Sequence, residues 1–250
     1  MKKSILFTLV LCMIFISVSI TGCSSKSVDE KFIDALEDGL SARWELTDKS
    51  EDKDEAEEKS DYEGYIDAEY NKISKFKEEN FEDKELGDLA REYIETLEQS
   101  KDTLKYFNNE NKWLADWDNI RDDRVETLVK INEKEKLEFS DDSDKENFEG
   151  LISEGEVVKA VREIQDNTKF KKIKNEYGWN TYSAVVENTT NENFKYFSFS
   201  IKLIDKDGLT VESQSAYAEN WNSGDKAKFE FQTDEKFKKI EIADCTYTFD

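Results

Sequence analysis

The chain contains no histidine and no proline, and it has only nine glycines and three cysteines among 250 residues. Without histidine there is no imidazole to act as a general base, to activate a serine or cysteine nucleophile, or to serve as the commonest zinc ligand. The glycines form neither a nucleotide-binding glycine-rich loop nor a G-x-S-x-G turn. We therefore expect a protein that is not an enzyme and that holds no cofactor and no metal.

Acidic side chains are abundant, since the chain has 59 Asp and Glu against 36 Lys and Arg and a net charge of −23. Residues 23–178 carry −20 and residues 179–250 carry −5. This acidity excludes nucleic acid as a partner and argues against electrostatic docking on anionic lipid. It favours a solvated surface, a cationic partner or weak binding of divalent metal. A carboxylate pair for glycoside hydrolysis stays open, but no pair can be selected from so many carboxylates.

The first residues have the layout of a secretory signal. Lys2 and Lys3 precede a nearly continuous apolar run from Ile5 to Ile20, and polar residues begin directly after Cys23. The apolar run of about 16 residues is shorter than the roughly 20 that a membrane-spanning helix needs. An uncleaved membrane anchor is the alternative, and it too would place the body of the protein outside the cytoplasm.

The residues at the end of this run are Ile20, Thr21, Gly22 and Cys23, and they resemble the lipobox of bacterial lipoproteins. Isoleucine takes the place of the usual leucine at the first lipobox position. The resemblance implies that diacylglycerol is attached to the Cys23 sulfur and that a peptidase cleaves before this cysteine. Two acyl chains anchor a protein durably, whereas one chain alone is marginal.

We accordingly expect residues 1–22 to be a signal peptide and residues 23–27 to be the lipid anchor and a short tether. The localisation that follows is the outer face of the cell membrane. Of the other cysteines, Cys12 lies in the signal segment, which leaves Cys245 without an intramolecular disulfide partner. We expect Cys245 to be a small buried apolar residue of a strand.

Helical periodicity dominates residues 28–168, for which we predict an acidic, antiparallel helical bundle. Ser27 and Glu30 form a capping box at its start. We expect the neighbouring Trp113 and Trp117 to be core residues rather than a ligand platform. The apolar stripes are Val28, Phe32, Leu36, Leu40 and Trp44; Tyr62, Tyr65, Tyr70, Ile73 and Phe76; Leu86, Leu89, Tyr93, Leu97, Leu104 and Phe107; Trp113, Trp117, Ile120, Leu128 and Ile131; and Val157, Val158, Val161 and Ile164.

One segment of this region, residues 47–61, contains no large apolar side chain. It cannot bury enough surface to order itself as a packed element, and we predict a mobile acidic loop. A calcium site is conceivable there, but the segment lacks the spaced ligands and central glycine of an EF-hand loop.

The period changes near Lys169 from helical to alternating, which predicts a β-sandwich over residues 169–250. The slip in phase at Ala243–Asp244 indicates a bulge. Three hairpin turns are predicted, at 188–191, 205–208 and 223–224. The apolar residues that alternate in this way are Tyr182, Ala184 and Val186; Phe197, Phe199, Ile201 and Leu203; Phe229 and Phe231; Ile240 and Ile242; and Cys245, Tyr247 and Phe249.

The segment from Tyr182 to Phe231 resembles the FxLYD domain, a small extracellular module. The matching stretches are Tyr182–Thr190, Phe199–Gly208 and the glycine turn Ser223–Asp225 before Phe229. At the namesake motif both aromatic residues are replaced by isoleucine, in Ile201–Asp205. The resemblance covers under a third of the chain. It implies an Ig-like sandwich, common in secreted lipoproteins, and it carries no catalytic residues.

The predicted fold class is therefore α+β, with a helical bundle followed by a small Ig-like β-sandwich. The function we expect is that of a non-enzymatic binding protein of the cell envelope, anchored to the membrane through Cys23. Its partner would be an envelope protein, a wall component or a cationic peptide. The alternatives are a lipoprotein that captures a ligand for a transporter and an Asp/Glu-dependent hydrolase. A deep cavity between the two domains would favour capture, and buried carboxylates in a cleft would favour hydrolysis.

Overall fold

The computed structural model describes residues 26–51 and 58–249, and in them helices precede strands. This order confirms the predicted α+β class. The helices are α1 (Val28–Glu51), α2 (Lys59–Ile73), α3 (Lys84–Thr103), α4 (Glu110–Lys134) and α5 (Asp142–Asn167), with 3₁₀ turns at Ser74–Glu78 and Leu104–Tyr106. The strands are β1 (Lys171–Glu176), β2 (Trp179–Glu187), β3 (Phe194–Ile204), β4 (Thr210–Trp221), β5 (Lys226–Thr233) and β6 (Lys239–Phe249).

The start of α1 has the predicted capping box. The Glu30 amide donates to Ser27 Oγ at 3.0 Å, and the Ser27 amide donates to the Glu30 carboxylate at 2.7 Å. These two bonds satisfy amides that have no partner inside the helix.

The predicted acidic loop over residues 47–61 is wrong at both of its ends. Helix α1 continues to Glu51, and α2 already begins at Lys59. Charged side chains at i and i+4 support both ends, through Glu45–Lys49 and Lys59–Glu63 ion pairs. Residues 52–57 lie outside the described part of the chain.

The apolar stripes of α1 to α4 meet in one core, whereas most of the predicted stripe of α5 packs in the sandwich core described below. Consecutive helices pack side by side, and α1 also contacts α5. Trp113 is buried, and Trp117 packs beside it. Tyr62 contacts both tryptophan rings, and Phe107 contacts that of Trp113. The two tryptophans are therefore core residues, as predicted. Within the described ranges, no helix is both long and apolar enough to cross a membrane.

The strands form two three-stranded antiparallel sheets, one in the order β1-β2-β5 and the other in the order β4-β3-β6. Their facing sides enclose a second core. The alternating aromatic and aliphatic residues of β3 are fully buried in it, as predicted, because β3 is the central strand of its sheet. The residues concerned are Phe197, Phe199, Ile201 and Leu203.

Only one of the three predicted hairpin turns joins paired strands. Asp205–Gly208 connects β3 to its neighbour β4, with Gly208 at φ 84°. Residues 188–191 and 223–224 instead link strands of different sheets. A further hairpin joins β1 to β2 through Tyr177 and Gly178, both at positive φ as a type I′ turn requires.

The predicted break in β6 is present as a bulge. Ser200 pairs with Asp244 and Ile201 pairs with Ile242, so Ala243 is the extra residue. The bulge restores the phase of the strand. Side chains on both sides of it therefore contact the sandwich core, Ile240 and Ile242 before it and Cys245 and Tyr247 after it.

Helix α5 belongs to both cores and is longer than its apolar stripe indicates. Phe148 near its start packs in the helical core, whereas Val157, Val161 and Ile164 pack in the sandwich core. The Gln165 side-chain amide also donates to the Ile242 carbonyl of β6 at 3.1 Å. A seam between α5 and β6 thus joins the two parts of the molecule.

Candidate functional site

The predicted lipidation site lies outside the part of the chain that the structure describes. This applies to Cys23 and to the other lipobox residues, Ile20, Thr21 and Gly22. The described chain begins at Lys26, and α1 follows two residues later.

A cleft opens at one end of the α5–β6 seam, where α4 and the loop between β2 and β3 also approach. We call it the acidic cleft, and its volume is about 470 Å³. It lies between the helical bundle and the sandwich. Three of its eight lining residues are carboxylates. The lining residues are Arg121, Asp122, Ser153, Glu154, Val157, Glu192, Tyr247 and Phe249.

Local structure explains why these side chains converge. Glu154 and Val157 are three residues apart on α5 and therefore share one face of that helix. Tyr247 and Phe249 are two residues apart on β6 and project from the same face of the sheet. Their rings meet edge to face, with centroids 5.6 Å apart. Phe249 remains 47% exposed, which makes it available for contact.

Asp122 is the unusual group of the acidic cleft. Burial raises the pKa of its carboxyl to about 6, and the positive charges of Arg162 and Arg121 only partly oppose this. Arg162 is already engaged by Asp123 and Glu126, at 2.6 and 2.5 Å. Among the described residues, no side chain makes an ion pair or hydrogen bond with Asp122.

The groups beside Asp122 include an ion pair and a neutral phenol. Arg121 is paired with Glu154 at 2.5 Å, which neutralises one of the three carboxylates. Burial raises the pKa of the Tyr247 phenol to about 12, and the charges of Asp122 and Glu154 raise it further in the same direction. Tyr247 is therefore a neutral phenol at physiological pH. Among the described residues, no lysine or arginine forms an ion pair with Asp122 or Glu192.

This combination suits a positively charged group. A carboxylate that has lost water without gaining a partner is destabilised, and an incoming cation supplies that partner. Aromatic rings beside it attract a cation through their π faces. Over the described residues, no group of three or more potential metal ligands is present. A half-buried carboxylate beside two aromatic rings is therefore an arrangement that suits an organic cation.

A second charged cluster lies inside the helical core and has a different character. Glu69 is fully buried and accepts hydrogen bonds from Tyr93, from Arg124 at 2.9 Å and from Arg43 at 3.1 Å. Burial opposes its ionisation, but the two guanidinium groups outweigh burial and hold the pKa of Glu69 below its ordinary value. Since Tyr93 and Arg124 are buried too, this cluster holds helices together and offers no surface to a ligand.

Cys245 is half-buried rather than fully buried, and its thiol lies 3.8 Å from the side-chain oxygen of Gln165. Burial raises the pKa of this thiol to about 12. The thiolate is the reactive form of cysteine, so Cys245 is an inert thiol at neutral pH.

Exposed apolar side chains are concentrated on the sandwich. Of the ten large hydrophobic residues that are exposed in the described part of the chain, eight lie on the strands or turns of the sandwich. Tyr177 at the β1–β2 turn is fully exposed. The sandwich therefore has more apolar surface for contacts than the helical bundle, whose surface is largely charged. The eight residues are Ile173, Tyr177, Trp179, Val185, Leu209, Val211, Tyr217 and Phe249.

No protein-family model matches the chain, and no curated protein matches it. Among solved structures, a similarity is found to IrmA from Escherichia coli, with 20% sequence identity and a TM-score of 0.27. The aligned region covers 31% of this chain and 71% of that protein. A similarity at this TM-score says nothing about function.

Proposed function

We propose that the protein is a lipid-anchored, extracytoplasmic binding protein of the cell envelope, and that it acts without catalysis. Lipid on Cys23 would hold it to the outer face of the membrane. The acidic cleft would receive a cationic group, such as a lysine or arginine side chain of a peptide or of another envelope protein. The observation that carries this proposal is the half-buried Asp122 carboxylate beside Tyr247 and Phe249.

The energetics favour such a partner. A guanidinium or ammonium group in the cleft would form a charge-assisted hydrogen bond with Asp122, and such bonds contribute about 1.5–3 kcal/mol. The apolar stem of the same side chain would lie against Phe249 and Val157. Glu192 would add a further negative charge at the rim. The surrounding acidity of the chain would also accelerate the approach of a cation.

The anchor is tested by mass spectrometry of the full chain expressed in a bacterial host that processes lipoproteins. We expect the wild type to begin at Cys23 and to carry diacylglycerol on that residue, and we expect the Cys23→Ala variant to lack the lipid. A wild type that retains residues 1–22 and carries no lipid would contradict the proposal. It would instead indicate that the apolar segment 5–20 is itself the membrane anchor.

The cleft is tested with a short peptide, acetyl-Ala-Arg-Ala-amide, titrated into the full chain by calorimetry. We expect Asp122→Asn to weaken binding about tenfold, because it removes one charge-assisted hydrogen bond. The affinity of the wild type should fall as the pH drops from 7.5 to 5. The reason is that the Asp122 carboxyl, with its pKa of about 6, takes up a proton over this range and loses its charge.

Two controls make this result specific. The matching peptide with citrulline in place of arginine has nearly the same shape without the charge, and it should not bind. Glu146→Asn changes an exposed carboxylate near the start of α5, outside the acidic cleft, and it should leave the affinity unchanged. Equal binding of the arginine and citrulline peptides, or equal affinity of the wild type and Asp122→Asn, would refute the role of the cleft.

One observation favours a second function, hydrolysis. A carboxyl group in a cleft with a pKa near 6 is suited to act as a general acid. Turnover of a nitrophenyl glycoside by the wild type, lost in Asp122→Asn, would support this function over binding. Capture of a ligand for a transporter and membership of the FxLYD family stay predictions.

A further inference from the structure

Two short segments reverse the acidic character of the chain. Residues 169–174 and 234–241 together contain seven lysines against three carboxylates, in a protein whose net charge is −23. One segment leads from α5 into β1, and the other joins β5 to β6. The seven lysines are Lys169, Lys171, Lys172, Lys174, Lys236, Lys238 and Lys239.

The fold brings these segments together through aromatic contacts. Phe170 in the first segment packs against Phe231, with ring centroids 5.2 Å apart. Phe231 stacks on Tyr182, and Tyr182 contacts Phe237 of the second segment at 5.3 Å. Two lysine-containing segments that are far apart in sequence therefore meet at a common aromatic group.

A second cavity lies between the two segments, with a volume of about 590 Å³. We call it the basic pocket. Lys169, Lys238 and Lys239 lie at its edge, together with Asp166 and Glu241. Its apolar lining consists of half-buried side chains, which are Phe170, Phe237, Ile240 and Ile242.

The lysines of the basic pocket are only partly neutralised. Lys239 forms an ion pair with Glu241 at 2.6 Å, which occupies one of the two carboxylates. Lys169 donates to the backbone carbonyl of Asp166 at 2.7 Å, and it pairs with no carboxylate in the part of the chain that the structure describes. Lys238 has no ion-pair partner among the described residues. At least two cationic groups, Lys169 and Lys238, are thus available beside an apolar surface.

The geometry points to a binding site for an organic anion that carries an apolar body. Its phosphate or carboxylate group would be held by Lys169 and Lys238, and its apolar part would cover Phe237 and Ile240. This site is independent of the acidic cleft. The two lie at opposite ends of the α5–β6 seam, since Val157 lines one and Thr168 lines the other. Eleven residues of helix separate these positions by about 16 Å.

Composition predicts that the acidic chain repels anions, but the lysines of the basic pocket make this site locally positive. A net charge of −23 repels anions at a distance, but screening confines that repulsion to roughly 8–10 Å at physiological ionic strength. An anion within the basic pocket experiences the nearby lysines most strongly. The apolar lining makes this site different from a surface that binds anions by charge alone. It adds binding free energy only when the ligand has an apolar body that it can bury.

The test uses the full chain in nanodiscs of zwitterionic phosphatidylcholine, with 1-naphthyl phosphate as the probe and calorimetry as the readout. Empty discs provide the background. We expect 1-naphthyl phosphate to bind at least fivefold more tightly than inorganic phosphate, and neutral 1-naphthol to show no binding above background. The double variant Lys169→Gln/Lys238→Gln should weaken binding of 1-naphthyl phosphate at least fivefold. Lys228→Gln, on β5 and outside the pocket, should leave it unchanged.

Equal affinities for 1-naphthyl phosphate and inorganic phosphate would overturn the proposal, as would equal affinities of the wild type and the double variant. A circular dichroism spectrum of the double variant that matches the wild type ensures that lost binding is not lost folding. Discs that contain phosphatidylglycerol identify the source of the anion. Competition by this lipid in the wild type and equally in Lys228→Gln assigns the site to a phospholipid, and retained probe binding assigns it to a soluble anion.

Discussion

Replacing Glu69 by glutamine is expected to lower the free energy of unfolding by about 3–5 kcal/mol. The substitution keeps the volume of the side chain but removes the negative charge that faces two guanidinium groups. Arg124 and Arg43 would then be left in the helical core without a counter-ion. Arg124 is the more affected of the two, because its Nε already has no hydrogen-bond partner among the described residues. Urea unfolding of the wild type and the variant measures the difference.

The effect should also depend on pH. The pKa of Glu69 is held below its ordinary value of 4.5, so its stabilising contribution is complete above about pH 4.5 and is lost in more acidic solution. Glu63→Gln is the matched control, since Glu63 lies on the same helix in a half-exposed ion pair with Lys59. It should change stability by about 0.5 kcal/mol or less. A loss below about 1 kcal/mol for Glu69→Gln would show that the cluster is not a stabilising element.

Gly155→Ala is expected to destabilise the protein by about 1–3 kcal/mol, although alanine is the better helix former. A Cβ atom at Gly155 would lie 2.6 Å from the carbonyl oxygen of Val125 and 2.6 Å from a methyl carbon of Val129. The carbonyl oxygen of Val125 belongs to the backbone of α4, so no side-chain rotation can relieve this contact. Helices α4 and α5 would therefore have to separate. Thermal unfolding followed by circular dichroism measures the loss.

Gly150 provides the control for this prediction. It lies on the same helix, and a Cβ atom there would meet no atom within 4 Å. Gly150→Ala should therefore stabilise the protein by about 0.5–1 kcal/mol through helix propensity alone. Both substitutions replace glycine by alanine in the same helix. Opposite changes in stability would therefore show that the close approach of α4 and α5 causes the loss at Gly155. If both raised the stability, the helices would be less tightly packed at Gly155 than the structure indicates.

Periodicity predicted the elements that bury one regular face. The helical stripes and the strand β3 follow this rule, and even the bulge at Ala243 was visible as a change of phase. Strand β1 shows no such pattern, because all six of its residues are exposed at the edge of a sheet. The first half of α5 also escaped prediction. Its residues are mainly polar, and Phe148 is the only one of its side chains up to Gly150 that is buried.

The buried charges could have been found from the sequence, but the acidic cleft could not. Glu69 lies between Tyr65 and Ile73 on the apolar face of α2, and Arg124 lies between Ile120 and Leu128 on that of α4. A charged residue at an apolar stripe position indicates a buried partner of opposite sign. Asp122 has no such signal, because its environment depends on strand β6, more than a hundred residues later in the chain.

Helix α5 has a consequence for how the protein unfolds. Its first half is part of one core and its second half is part of the other. Neither core can therefore unfold without disturbing the packing of α5. The helical and β parts should therefore lose their structure in one cooperative transition. A polypeptide cut after Thr168, where the domains would be divided on sequence alone, would deprive the sandwich of Val157, Val161 and Ile164 and expose these residues on the other fragment. The helical region and the β region of this molecule are therefore not separate folding units.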